Sequence, residues 1–164
     1  MALRGIEGWR GWRIAVALVA SGVALPAAAQ STDFVGQWHW NRAESTPSGD
    51  QPPPRMVVLD IAAAEPGRVQ WKLTGTDIRG QPHVETYNGT GDGKPAPVGG
   101  APEGTTASFT LTSRGMETSY VNRDGSSERT TCSITRGRDR MICFGSDNDG
   151  KGHVSSFRDV YDRW

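Results

Sequence analysis

Apolar residues in this chain recur at every second position in short runs, and glycine, proline, asparagine or aspartate ends each run before it reaches helix length. "RVQWKLT" is the clearest case: Val69, Trp71 and Leu73 share one face, Gln70, Lys72 and Thr74 the other. "MVVLDI" repeats the pattern with Val57, Leu59 and Ile61. Runs of the same character cover 34–40, 82–88, 105–112, 116–122, 127–135, 140–146 and 153–163, so about nine strands are expected. Gly80, Gly93, Gly115, Gly125, Gly137 and Gly150 fall between runs at the spacing of strand–turn–strand repetition. No amphipathic helix is available to cover the apolar faces, so the strands must cover one another. The expected fold is all-β: an up-and-down antiparallel barrel of about eight to nine strands, with a β-sandwich as the alternative.

Two stretches break the rhythm. "NRAESTPSGDQPPP" (41–54) holds too much proline for a strand or helix interior, and "NGTGDGKPAPVGGAPEG" (88–104) is rich in glycine and proline. Both are expected to be long loops over one rim, where function commonly sits.

The first 29 residues have the form of a secretory signal peptide. Arg4, Arg10 and Arg13 precede the apolar segment Ile14 to Leu25, and "PAAAQ" offers a small-residue cleavage site at Ala27 and Ala29. A membrane anchor is the competing reading, but a bilayer span needs about 20 apolar residues. The expected mature chain, 30–164, is one domain in size and is exported to the periplasm or beyond. Removing the leader's three arginines and one glutamate from a neutral chain leaves it near −2. That charge offers no footprint for nucleic acid, and no mature apolar run is long enough to span a bilayer.

Cys132 and Cys143 both lie in the mature part, where an oxidising compartment favours a disulfide over two free thiols. A hairpin with the four-residue loop 136–139 would set them directly opposite each other, within reach of a bridge.

Gly36, Trp38, Asn41 and Ser45 form a G-x-W-x-x-N-x-x-x-S pattern at the start of the mature chain, ahead of a proline-rich loop and a β-meander. In this the chain resembles the small secreted lipocalin-like proteins of bacteria, and more distantly the calycin group of lipocalins and fatty-acid-binding proteins. The resemblance implies a lipocalin-like barrel over 30–164. It also implies that Trp38, next to Gly36, closes one end under an arginine from the last strand. Arg163 in "VYDRW" is the first candidate and Arg158 the second, since a guanidinium is attracted to an indole face. Trp40 has the parity of Trp38 and continues the inner face. Fatty-acid-binding proteins end in an R-x-Y pattern that holds a carboxylate. Here Tyr161 is kept, but Asp159 stands at the arginine position, where it would repel such a ligand.

For function, the resemblance implies an exported protein binding a small, mostly apolar molecule inside the barrel. Val57, Leu59, Val69, Trp71, Phe109, Leu111, Tyr120 and Tyr161 are expected to line or floor that space. The alternative is a filled barrel that works as a protein-interaction or inhibitor module of the cell envelope. No cofactor is implied. His39, His83 and His153 sit on separate strands without metal-ligand spacing, and "SDNDGKG" lacks the acids of a calcium loop. No nucleophile elbow, phosphate loop or zinc-protease helix occurs, so nothing argues for an enzyme. Glu85 and Asp60, the acids nearest the apolar faces, are expected on the outside of their strands by alternation.

Overall fold

In a computed structural model describing residues 31–49 and 53–164, ten strands close into a barrel in which each strand pairs with its sequence neighbours. A 3-10 turn, Ser31–Phe34, leads into β1 (Gly36–Trp40), β2 (Met56–Glu65), β3 (Arg68–Thr76), β4 (Pro82–Gly89) and β5 (Ala96–Gly99). The chain continues through β6 (Thr106–Thr112), β7 (Gly115–Val121), β8 (Ser127–Ile134), β9 (Arg140–Asn148) and β10 (Val154–Arg163). All pairs are antiparallel, and β1 meets β10 through Trp38 opposite Arg163 and Trp40 opposite Tyr161. Closure gives every strand a neighbour on both sides. The leader assignment, 1–29, lies outside the described residues. No described helix is long and apolar enough to cross a membrane.

The tenth strand, β5, lies inside the stretch expected to be one long loop. It is held by two residue pairs on each side, Thr86 with Gly99 and Tyr87 with Val98, then Ala96 with Ala107 and Pro97 with Thr106. Pro95 and Pro97 have no backbone N–H, so a longer ladder cannot form here. This strand also corrects the rim assignment. The connector 90–95 sits at the end of the barrel that Trp38 closes, with Gly93 N–H bonded to Phe109 O and Leu111 N–H to Gly91 O. Residues 100–105 turn at the opposite end.

Alternation carries the side chains inward as period two requires. The register places Trp71 beside Ile61 and Tyr87, and Leu73 beside Leu59 and Glu85. A bulge between Ile61 and Ala63 shifts the phase of β2, so Ile61 and Ala64 both point into the core. Cys132 and Cys143 stand opposite each other in the β8–β9 register with Cα atoms 4.0 Å apart, and they are bonded as a disulfide. The hairpin turn closes through Thr135 N–H to Arg140 O and Arg138 N–H to Thr135 O, with Arg138 left-handed at φ 60°.

The G-x-W-x-x-N-x-x-x-S residues build the closed end and the turn after β1. Trp38 is fully buried, its indole N–H bonded to Phe34 O at 2.8 Å. The Arg163 guanidinium carbon lies 4.1 Å from the Trp38 ring centroid. Arg163 also donates to the backbone oxygens of Arg138, Val35 and Asp33, so one side chain ties the chain start to the β8–β9 turn. Gly36 has φ 140°, and a Cβ there would lie 2.6 Å from Arg163 Nη1. Glycine is therefore needed for the arginine's approach. Asn41 accepts from the N–H groups of Ala43 and Glu44, and the Ser45 hydroxyl links Asn41 O to Val160 N–H. Arg158, the second candidate for the closure, instead points outward over Phe144 and donates to Glu44 O.

Candidate functional site

The barrel encloses a cavity of about 340 Å³ between the closed end and the open rim. Its lower wall is apolar: Leu59, Ile61, Val69, Trp71, Leu73, Phe109, Met116 and Met141, together with the disulfide. Trp71, Tyr87 and Phe109 pack ring to ring, with Trp71 and Tyr87 stacked at 5.8 Å and Tyr87 tilted against Phe109 at 4.6 Å. Phe157 completes the side wall. It lies over Gly145, where a Cβ would come within 2.3 Å of the ring, so any larger residue would push the ring into the cavity.

The upper wall is different. Glu85, Glu128 and Asp159 line it beside Thr118, Tyr120, Thr130 and Tyr161. Asp147, directly opposite Glu128 on β9, joins Glu128 and Asp159 in an adjoining recess roofed by Pro47, Ser48 and Pro54. Here the loop after β1 bends over the mouth: Thr46 bridges Arg158 on β10, and the Ser48 hydroxyl donates to Asp147.

Each acid has a neutral donor or a rim partner. Asp159 accepts from the Trp40 indole N–H at 2.7 Å, Glu128 from the Thr130 hydroxyl at 2.7 Å, and Glu85 lies 2.8 Å from His83 Nε2. Among the described residues no lysine or arginine lines the cavity. Burial pushes Glu128 above the ordinary carboxylate range, and Asp147, Asp159 and Glu85 add to the rise. Burial likewise raises Asp159, with Asp147 adding to it. The Tyr161 and Tyr120 hydroxyls are held protonated far above their ordinary range, first by burial and then by the facing carboxylates. The Tyr120 hydroxyl oxygen is buried beside the Glu85 carboxylate, with no partner among the described residues in good hydrogen-bond geometry.

The site residues named from the sequence are spread unevenly over this geometry. Leu59, Val69, Trp71, Phe109, Tyr120 and Tyr161 line the cavity. Val57 lies in the rim recess, while Leu111 packs against the core near Gly91 at the closed end. Glu85 corrects its assignment: it points inward, its side chain 15 % exposed, on the same face as the buried Tyr87. Asp60 is exposed as expected. Glu128 was not singled out, although it shares the parity of Cys132 on one strand. The histidines are dispersed: His39 stacks on Trp164 at 4.6 Å, His83 meets Glu85, and His153 lies in the β9–β10 turn.

Raised carboxylates make stability depend on pH in a definite direction. The cost of ionising Glu128 and Asp159 in the folded state is fully present above their raised values. It falls away as the pH drops towards the unfolded values of about 4. Exposed Asp92, held down to about 2 by hydrogen bonds from Lys94 and Thr90, works the other way, as do Asp124 and Asp149. Their contribution is present above about 4 and lost below it. The melting midpoint should therefore rise between neutral pH and about 5. Glu128→Gln should flatten that rise. A midpoint that falls steadily over this range, or an unchanged slope in Glu128→Gln, would contradict the assignment.

No protein-family model matches the chain, and no curated protein matches it. A solved structure described as "Structure of EF1p2_mFAP2b bound to DFHBI" is similar over 81 % of this chain and 95 % of that one, at 10 % identity and a TM-score of 0.47. A likeness that faint carries no weight for function.

Proposed function

We propose that this is an exported, lipocalin-like binding protein, domain 30–164, that takes up a small molecule with an apolar body inside the barrel. The observation that carries this reading is the unfilled space of about 340 Å³ above an apolar floor. Packed interiors hold few voids larger than a water molecule, whereas small-molecule sites are concave, mostly apolar and about 300–1,000 Å³ in size. The cavity lies at the low end of that range, so the ligand should be compact or a single chain. A disulfide inside the barrel fits the oxidising compartment to which a cleaved leader would deliver the chain. The leading role among the named residues falls to Leu59, Val69, Trp71 and Phe109 as the floor, with Tyr120 and Tyr161 above them.

Titration with Nile red, a neutral apolar dye, tests the reading. Saturable binding at one dye per chain is expected, with enhanced dye emission and quenched protein tryptophan fluorescence. Leu73→Trp, which fills the cavity, should abolish the binding while the melting midpoint is kept. Failure of the dye to saturate, or full binding by a folded Leu73→Trp variant, would refute an interior site.

A further inference from the structure

The cavity wall is amphipathic, and its polar half carries charge of one sign. Glu85, Glu128 and Asp159 come from three different strands and converge on one space, with Asp147 behind them at the rim. Among the described residues no salt bridge reaches Glu128, Asp147 or Asp159, and the only basic group against Glu85 is the half-exposed His83. Unpaired charges gathered in a partly desolvated space are costly unless a counter-charge is supplied. The described arginines and lysines lie elsewhere: Arg163 seals the closed end, and Arg140 and Arg158 bond to Glu44 on the outside. A second observation points the same way. The Tyr120 hydroxyl, its oxygen buried, faces the same cavity beside Glu85, and among the described residues no group sits in good hydrogen-bond geometry with it. The aromatic walls Phe157 and Tyr161 are also suited to a cation, whose charge their ring faces attract.

We propose that the barrel selects amphipathic cations: molecules with an apolar body for the floor and a protonated amine or quaternary ammonium head for Glu128 and Asp159. This rests on the interior binding proposed above and names the class of ligand. The head would occupy the space between the two carboxylates, with Glu85 as a further acceptor, and a polar group beside it could meet the Tyr120 hydroxyl. A bare metal ion fits less well, because it would leave the apolar floor empty. A carboxylate or phosphate ligand would face three acids.

Calorimetric titration of the full chain at pH 7 with decylamine, decanol and decanoate, each below its aggregation limit, separates charge from apolar burial. Decylamine should bind roughly tenfold or more tighter than decanol, and decanoate more weakly than decanol. Glu128→Gln with Asp159→Asn should reduce decylamine to the level of decanol. Because this double variant removes mutual repulsion, its melting midpoint at pH 7 should not fall. Glu117→Gln, an exposed carboxylate on the outer face of β7, should change nothing. If decanol binds as well as decylamine, or the double variant keeps the amine preference, the cation class is overturned while interior binding stands. If none of the three binds, both readings fall.

Discussion

Trp38→Ala should lower the free energy of unfolding by about 3–5 kcal/mol, the range for truncating a large aromatic in a packed core. Trp38 is fully buried at the junction of β1, β2 and β10, so its removal opens a cavity where three strands meet. It also leaves Phe34 O without its donor and Arg163 without its ring. Arg163→Ala should cost about 2 kcal/mol or more, since the lost cation–π contact comes with three vacated backbone acceptors. Arg158→Ala should cost less, because its partners are Glu44 O and the exposed Phe144 ring. Urea unfolding of the three variants ranks them directly. A larger midpoint loss in Arg158→Ala than in Arg163→Ala would show that the clamp is not where the energy lies.

Removing the disulfide through Cys132→Ala and Cys143→Ala should cost about 3 kcal/mol. The bridge closes a loop with a sequence separation of 11, and the loss of that constraint in the unfolded chain sets the magnitude. Both cysteines are buried, at 5 % and 3 % exposure, in the wall between Met116 and Met141, so polar replacements should cost more than alanine. Guanidinium unfolding with and without reductant checks the first part, with a lower midpoint and a slope equal or slightly steeper expected in the reduced protein, whose unfolded chain is less compact. Coincident curves would mean that the hairpin holds its register without the bond.

Much of the barrel was legible because period-two alternation is a local property of the chain. Strands such as β3, with Val69, Trp71 and Leu73 on one face, declare both their extent and their orientation. The opposed cysteines were legible for the same reason, since a four-residue turn sets the register of a hairpin by counting alone. Where the local signal is weak, the reading stopped. Strand β5 carries two residue pairs to each neighbour and a proline in its middle, so no run in the sequence marks it. It exists because Tyr87 and Ala107 on the flanking strands supply partners.

The phase of β4 shows the limit most clearly. "PHVETYNG" offers Val84 and Tyr87, apolar residues of opposite parity, and either could face the core. Pairing with β3 decides it: Tyr87 lies opposite Trp71 and is buried, so Val84 is left exposed and Glu85 turns inward. By itself, then, the sequence determined the all-β class, the order of the strong strands, the disulfide partners and the aromatic that plugs one end. The first three follow from periodicity and short-range counting, and the plug from what the G-x-W pattern at Gly36 and Trp38 resembles. The tertiary structure decided that the barrel closes with ten strands, which arginine covers Trp38, and that acids from β4, β8 and β10 meet in one cavity. Those are facts of register across residues far apart in the chain, and a one-residue slip in any strand would have turned its acid out to water.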